Sequence, residues 1–166
     1  MIVPHLDAAY TLARYLLRDA EDARDAVQDA CLRALKYMAT FRGDDPRAWF
    51  MAIVRNTCHT RLSTRRRGDQ ATAFDEETHS PVDDAGGDEL PPALHRIPPA
   101  SVRDAVDALP IEFREAIILR EIHGYSYSEI ATVVGVPVGT VMSRLARARR
   151  RLRDVLGPRA GEGVRS

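Results

Sequence analysis

An all-α chain of two small helical domains joined by a flexible acidic linker is what three features of this 166-residue sequence predict. Apolar residues on either side of the middle recur at steps of three and four, the pattern of helices with one buried face. Residues 68–100 lose that pattern and collect Asp, Glu, Gly and Pro instead. Residues 126–147 carry the spacing of two helices folded about a tight turn. The expected divisions are 1–67, a linker over 68–100, a second domain over 101–157 and a frayed tail over 158–166.

Charge supports the same division. The formal net charge is zero, which by itself argues against a nucleic-acid partner. It is blocked, however: 1–67 holds 12 basic residues against 8 acidic, 101–166 holds 11 against 8, and 68–100 holds 1 against 8. Two mildly basic segments are thus joined by an acidic one. That middle stretch is short of large apolar residues, so it cannot bury enough surface to offset the entropy of ordering.

The first helix should open near Pro4 and present Leu6, Ala9, Tyr10, Ala13, Leu16 and Leu17 to a core. A second should run from about Ala20 to Met38. Ala23, Val27, Cys31, Leu35 and Met38 would face inward, with Asp22, Asp25, Gln28, Asp29, Arg33 and Lys36 outward. Such a polar face is either simply solvated or a docking surface.

The segment FRGDDPRAWF follows. Gly43 breaks the helix, and Asp45 before Pro46 reads as a cap followed by the first helical residue. The third helix, to about Arg66, would bury Trp49, Phe50, Ile53 and Thr57. Asn56 stands seven residues after Trp49, so a polar amide lies on or beside the apolar stripe. It needs partners: either a structural bond, as to the 41–45 loop, or a base. The run RLSTRRR at 61–67 suits a phosphate backbone and equally suits a solvated helix end.

Order resumes at Ser101, which with Asp104 resembles a capping box; Leu109-Pro110 closes that helix. Phe113, Ile117, Ile118 and Leu119 supply the next, up to Gly124. Ser126 and Glu129 form a second S-x-x-E box, beginning a helix that buries Ile130, Val133 and Val134. Gly135 should end it, since a left-handed cap is cheap only for glycine. From Pro137 a last helix carries Val138, Val141, Leu145, Ala148 and Leu152 on one face. Small Ala131, Gly135 in the turn and Val141 in the shared core give a helix-turn-helix, whose outer face of Thr140, Ser143, Arg144 and Arg147 enters a DNA major groove in such motifs.

No chemistry-bearing cluster accompanies these helices. Cys31 and Cys58 have no C-x-x-C spacing and read as reduced thiols, the five histidines lack ligand spacing, and no acid–base pair, nucleophile or phosphate-binding glycine loop is found. No enzyme, metal or cofactor is expected. Without a signal peptide or a membrane-length apolar run, the expectation is a cytoplasmic protein with no membrane insertion.

Together the segments DARDAVQDACLRAL, FRGDDPRAWF and IVRNT, followed by LPIEFREAIILREIHGYSYSEIATVVGVPVGTVMSRLARARRRL, resemble the sigma-70 family of bacterial transcription initiation factors, in its small extracytoplasmic-function group. The resemblance implies two domains, region 2 over 1–67 and region 4 over 101–157. It implies core RNA polymerase and promoter DNA as partners, and an anti-sigma factor as a third. Asp25, Gln28, Asp29 and Arg33 would contact polymerase. Phe41, Arg42, Gly43, Asp44 and Asp45, with Asn56, would hold a flipped base of the −10 element, a step that costs a few kcal/mol of unstacking. Arg61, Arg65 and Arg66 would follow that strand. Backbone amides of Gly139 and Thr140 would take a phosphate of the −35 element, and Met142, Ser143, Arg144 and Arg147 would lie against its bases. The linker would occupy the polymerase cleft as a nucleic-acid mimic. Met142 and Ala146 depart from the larger residues common there, so base preference does not transfer. The rival reading, a stand-alone helix-turn-helix regulator, has no use for the FRG…Trp49…Asn56 spacing.

Overall fold

The computed structural model describes residues 2–70 and 99–165, with side chains placed over 2–68 and 101–156, so the linker expected over 68–100 falls almost wholly outside the described residues. After a 3-10 turn at Val3–His5, three helices form the first half: α1 (Leu6–Leu17), α2 (Ala20–Tyr37) and α3 (Pro46–Gln70). The second half holds α4 (Pro99–Asp107), α5 (Ile111–Ile117), α6 (Tyr127–Val134) and α7 (Val138–Arg165). Every regular element among the described residues is helical.

The junction of α1 and α2 is set by two adjacent residues. Arg18 closes α1 in the left-handed region, at φ 63°. Asp19 then caps α2, its carboxylate accepting from the Asp22 amide at 2.9 Å. α2 buries Ala23, Ala26, Ala30 and Ala34, so both neighbouring helices approach its backbone closely. Leu35, expected in the core, is instead 61% exposed, and Val27 and Cys31 are only half-buried. The reason is angular. Steps of four residues advance about 40° beyond a full turn each, so a 23-27-31-35 row drifts off the face that the alanines keep.

Asp45 caps α3 as expected, its Oδ1 accepting from the Ala48 amide at 3.1 Å. The helix buries Ala48, Phe50, Met51, Val54, Thr57 and Cys58; Trp49 and Ile53 stay half-buried. Thr57 satisfies its hydroxyl by donating to the Ile53 carbonyl at 2.8 Å. In the second half α4 already begins at Pro99, so Ser101 lies inside the helix rather than at its cap. Proline fits a first helical turn, where its missing N–H costs nothing. α5 loosens into a π turn at Ile118–Ile122, which Gly124 ends at φ 70°.

The two domains pack against one another in this structure. α1 packs on α5, α3 packs on α6, and the buried apolar side chains of both halves form one cluster. Polar contacts bind the same seam. Buried Arg114 donates to the Tyr15 carbonyl at 3.1 Å and to its neighbour Leu109 at 3.0 Å. Arg18 donates to the Asp107 carbonyl, and Arg47 reaches Glu129 at 2.9 Å.

Candidate nucleic-acid interface

The helix-turn-helix forms as its spacing predicts. Ser126 Oγ accepts from the Glu129 amide at 3.0 Å while Glu129 Oε1 accepts from the Ser126 amide at 2.8 Å, the reciprocal pair of a capping box. Gly135 turns the chain at φ 74°, and its amide and that of Val136 both donate to the Ala131 carbonyl. α6 and α7 meet at 101°. Val141, Leu145, Ala148 and Leu152 lie buried, whereas Val138, expected beside them, is 40% exposed at the tip of α7.

The outward face of α7 is accessible in its first two turns. Gly139 and Met142 are exposed, and Thr140, Ser143 and Arg144 half-buried. Two expectations change in detail. The Thr140 amide already donates to the Pro137 carbonyl at 3.0 Å, so the Gly139 amide is the better placed of the two for a phosphate. Arg147 lies with its guanidinium 5.9 Å from the Phe113 ring centre, and Arg151 lies 5.3 Å from it, so α5 steadies that end of the face. Arg149, missed in the sequence, is buried and pairs with Glu121 at 3.0 Å.

In the first half the 41–45 loop and Asn56 are not brought together. Phe41 stacks on Trp49, ring centres 4.7 Å apart and tilted by 34°. A β-carbon at Gly43 would sit 3.0 Å from Phe41 Cε1, so a larger residue there would press on that ring. Arg42 and Asp44 project as exposed side chains around it. Asn56 stands seven residues further along α3, about 10 Å by helix rise. It is exposed, its Oδ1 accepting from Arg55 Nη1 at 3.3 Å. The amide borders a hollow of about 420 Å³ shared with His59, Thr60, Ser63, Thr64 and Arg67. Of the basic run, Arg66 is exposed, Arg61 half-buried, and Arg65 is paired with Asp22 of α2.

The expected polymerase-facing residues share one side of α2. Asp25, Gln28 and Arg33 are exposed, and Asp29 pairs loosely with Arg33 at 3.9 Å. Next to them lies a groove of about 530 Å³ between α1 and α2, lined by Leu6, Tyr10, Val27, Gln28, Cys31 and Leu32 among others. Leu32 is 66% exposed, which with Leu35 gives this face an apolar ridge that the charged residues alone did not announce. Among the described residues no group of three His, Cys, Asp or Glu is placed to hold a metal, and no single helix is long and apolar enough to cross a membrane.

One charged cluster was not anticipated at all. Glu115 of α5 is fully buried, and Arg55 of α3 donates to both its oxygens at 3.0 Å. His59 Nε2 donates to Oε1 at 2.9 Å. Burial raises the Glu115 carboxyl, but the bonds from His59 and Arg55 more than offset it and hold the group below the ordinary glutamate value. Arg114 beside it is lowered to about 10, chiefly by burial and then by Arg18.

Residues 1–68 match the family model "Sigma-70 region 2" and residues 100–152 match "Sigma-70, region 4". The chain is 38% identical over 154 residues to the ECF RNA polymerase sigma factor SigM of Mycobacterium tuberculosis, covering 92% of this chain and 74% of that protein. It is 35% identical over 154 residues to the RNA polymerase sigma-H factor of Pseudomonas aeruginosa, covering 86% and 77%. Among solved structures, the sigma factor RpoE in complex with the anti-sigma factor NepR from Bartonella quintana superposes with a TM-score of 0.72 at 29% identity, covering 94% of each chain. CnrH in complex with the cytosolic domain of CnrY gives 0.65 at 26%, covering 95% of this chain and 85% of that one.

Proposed function

This chain belongs to the sigma-70 family, as an RNA polymerase sigma factor of the extracytoplasmic-function type that directs promoter-specific transcription initiation, and from that premise we propose how its parts divide the work. The exposed side of α2, with Asp25, Gln28, Asp29, Arg33 and the Leu32–Leu35 ridge, docks on core RNA polymerase in the cytoplasm. The loop 41–45 and the Asn56 hollow receive the opened −10 strand as two successive stations, because they lie about 10 Å apart along α3. Arg61, Arg65 and Arg66 hold its phosphates, Arg65 after releasing Asp22. The Gly139 and Thr140 end of α7 takes a −35 phosphate while Met142, Ser143, Arg144 and Arg147 meet base edges. An anti-sigma factor is the natural regulator, since the solved relative RpoE is a sigma factor held by the anti-sigma factor NepR.

The right-angled α6–α7 pair, with its first two α7 turns accessible, supports the duplex-reading part most directly. Transcription in vitro with core polymerase tests it. Arg144→Ala should weaken initiation from a −35-dependent promoter by about 1–3 kcal/mol of recognition, roughly fivefold to 150-fold. Normal initiation by that variant would refute the placement of α7. Strong, specific DNA shifts without polymerase would favour the stand-alone regulator instead.

A further inference from the structure

A further hollow, of about 370 Å³, opens between α1 and α4, and none of its lining residues carries a role in the promoter reading. One wall follows from sequence spacing. Thr11 and Arg14 of α1, and Arg18 at its C-terminal cap, stand at steps of three and four, so they share one face. Tyr10 and Tyr15 flank them. The other wall is Arg103 and Asp107, four apart on α4. Charge here is lopsided, with three guanidinium groups around one carboxylate. Among the described residues, no carboxylate comes within ion-pair distance of Arg14, Arg18 or Arg103. Arg18 donates instead to the Asp107 backbone carbonyl. We propose that this hollow binds a small nucleotide, a nucleoside diphosphate in size, with its phosphates on the three arginines and its base against Tyr10 or Tyr15.

A single arginine on a surface is ordinary, but three converging on one recess repel one another until an anion joins them. The positive charge continues behind the wall. Buried Arg114 donates to the Tyr15 carbonyl at 3.1 Å, and Arg18 adds to burial in lowering its pKa. Guanidinium forks match phosphate oxygens in pairs, and the Thr11 hydroxyl adds one more donor. The tyrosine rings offer faces on which a base stacks. Asp107 narrows the ligand further. Its carboxylate repels a bare phosphate chain but accepts from ribose hydroxyls or an exocyclic amino group, so the hollow favours a molecule that carries both kinds of group. The volume is that of a small-molecule site. A duplex backbone needs an open, uniformly basic track, whereas this recess has a helix on each side and a carboxylate among its arginines.

Titration calorimetry of the full chain with ADP, GDP, CDP and UDP tests this, with pyrophosphate and adenosine as the two fragments of such a ligand. At least one nucleoside diphosphate should bind saturably at a single site, and each fragment at least about tenfold more weakly. Arg103→Gln and, separately, Arg14→Gln should each weaken that binding by about tenfold or more, the loss of one charged hydrogen bond, while helical circular dichroism is retained. Arg24→Gln, which removes the same charge from an exposed position on α2 outside the hollow, should leave it unchanged. No saturable binding by any of the four, equal binding of pyrophosphate, or full affinity in both hollow variants would each overturn the proposal. Weakened promoter binding by the Arg103→Gln polymerase complex, with no nucleotide bound by the parent, would assign the hollow to DNA instead. The promoter reading does not enter the titrations, so its failure would leave them as they stand.

Discussion

The two halves pack their helices by opposite means. α2 presents a seam of alanines, Ala23, Ala26, Ala30 and Ala34, all without measurable exposure, and relies on close backbone approach. α7 inserts Val141, Leu145 and Leu152 around Ala148 and relies on side-chain volume. The consequence lies on the outside. A helix whose small residues face inward has its large apolar residues left for another purpose, and α2 shows Leu32 and Leu35 to solvent. α7 spends its branched residues inside and shows Thr140, Ser143 and Arg144. The first surface suits a protein partner and the second a polyanion. Between them lies a seam that neither half completes alone.

Breaking that seam should have the largest effect. Removing one partner of a buried pair costs about 3–5 kcal/mol, so Glu115→Ala should divide a single thermal transition into two in calorimetry. Acidification should act in the same direction. Because the Glu115 carboxyl is held below its ordinary value, its contribution is fully present above the usual glutamate range and is lost as pH falls through the lowered value. A seam insensitive to pH well below that range would contradict this account.

Within the halves, Leu145→Ala should cost about 2–5 kcal/mol in denaturant unfolding, because α7 depends on volume. Ala30→Leu should cost about 1–3 kcal/mol for the opposite reason, overpacking a seam with no room. If Ala30→Leu were tolerated without loss, the contrast drawn between α2 and α7 would be wrong. Ser126→Ala should cost about 1 kcal/mol by removing one arm of the capping box. Leu35→Ala should change stability by under about 0.5 kcal/mol, as exposed substitutions do, yet weaken binding to core polymerase in a pull-down. A large stability loss there would return Leu35 to the core.

What could be read from the sequence was mostly local. The Ser126–Glu129 box, the left-handed Gly135, the Asp45-Pro46 start of α3 and the burial of Val141, Leu145 and Ala148 each depend on residues a few positions apart, and each is found in the structure. The outward face of Thr140, Ser143 and Arg144 followed from those, and so did the isolation of Asn56 as an unusual amide. The inward face of α2 was harder. Alanine is weakly apolar and common in any helix, so a row of four gives a fainter signal than Val27, Cys31 and Leu35 beside it. Only the positions of α1 and α3 decide which row turns inward.

The remainder belongs to tertiary structure alone. The partners of Glu115 are Arg55 and His59, sixty and fifty-six positions away across a segment that carries no periodicity. In the sequence Glu115 is one more acidic residue on a short helix, and Arg114 one more base. Their burial depends on α1 meeting α5 and α3 meeting α6, contacts between halves that each look complete by their own hydrophobic patterns. Periodicity reports which face of a helix is apolar, because that is written into nearest neighbours. It cannot report which charge will find its counter-charge once two such units close, because that depends on where whole surfaces meet.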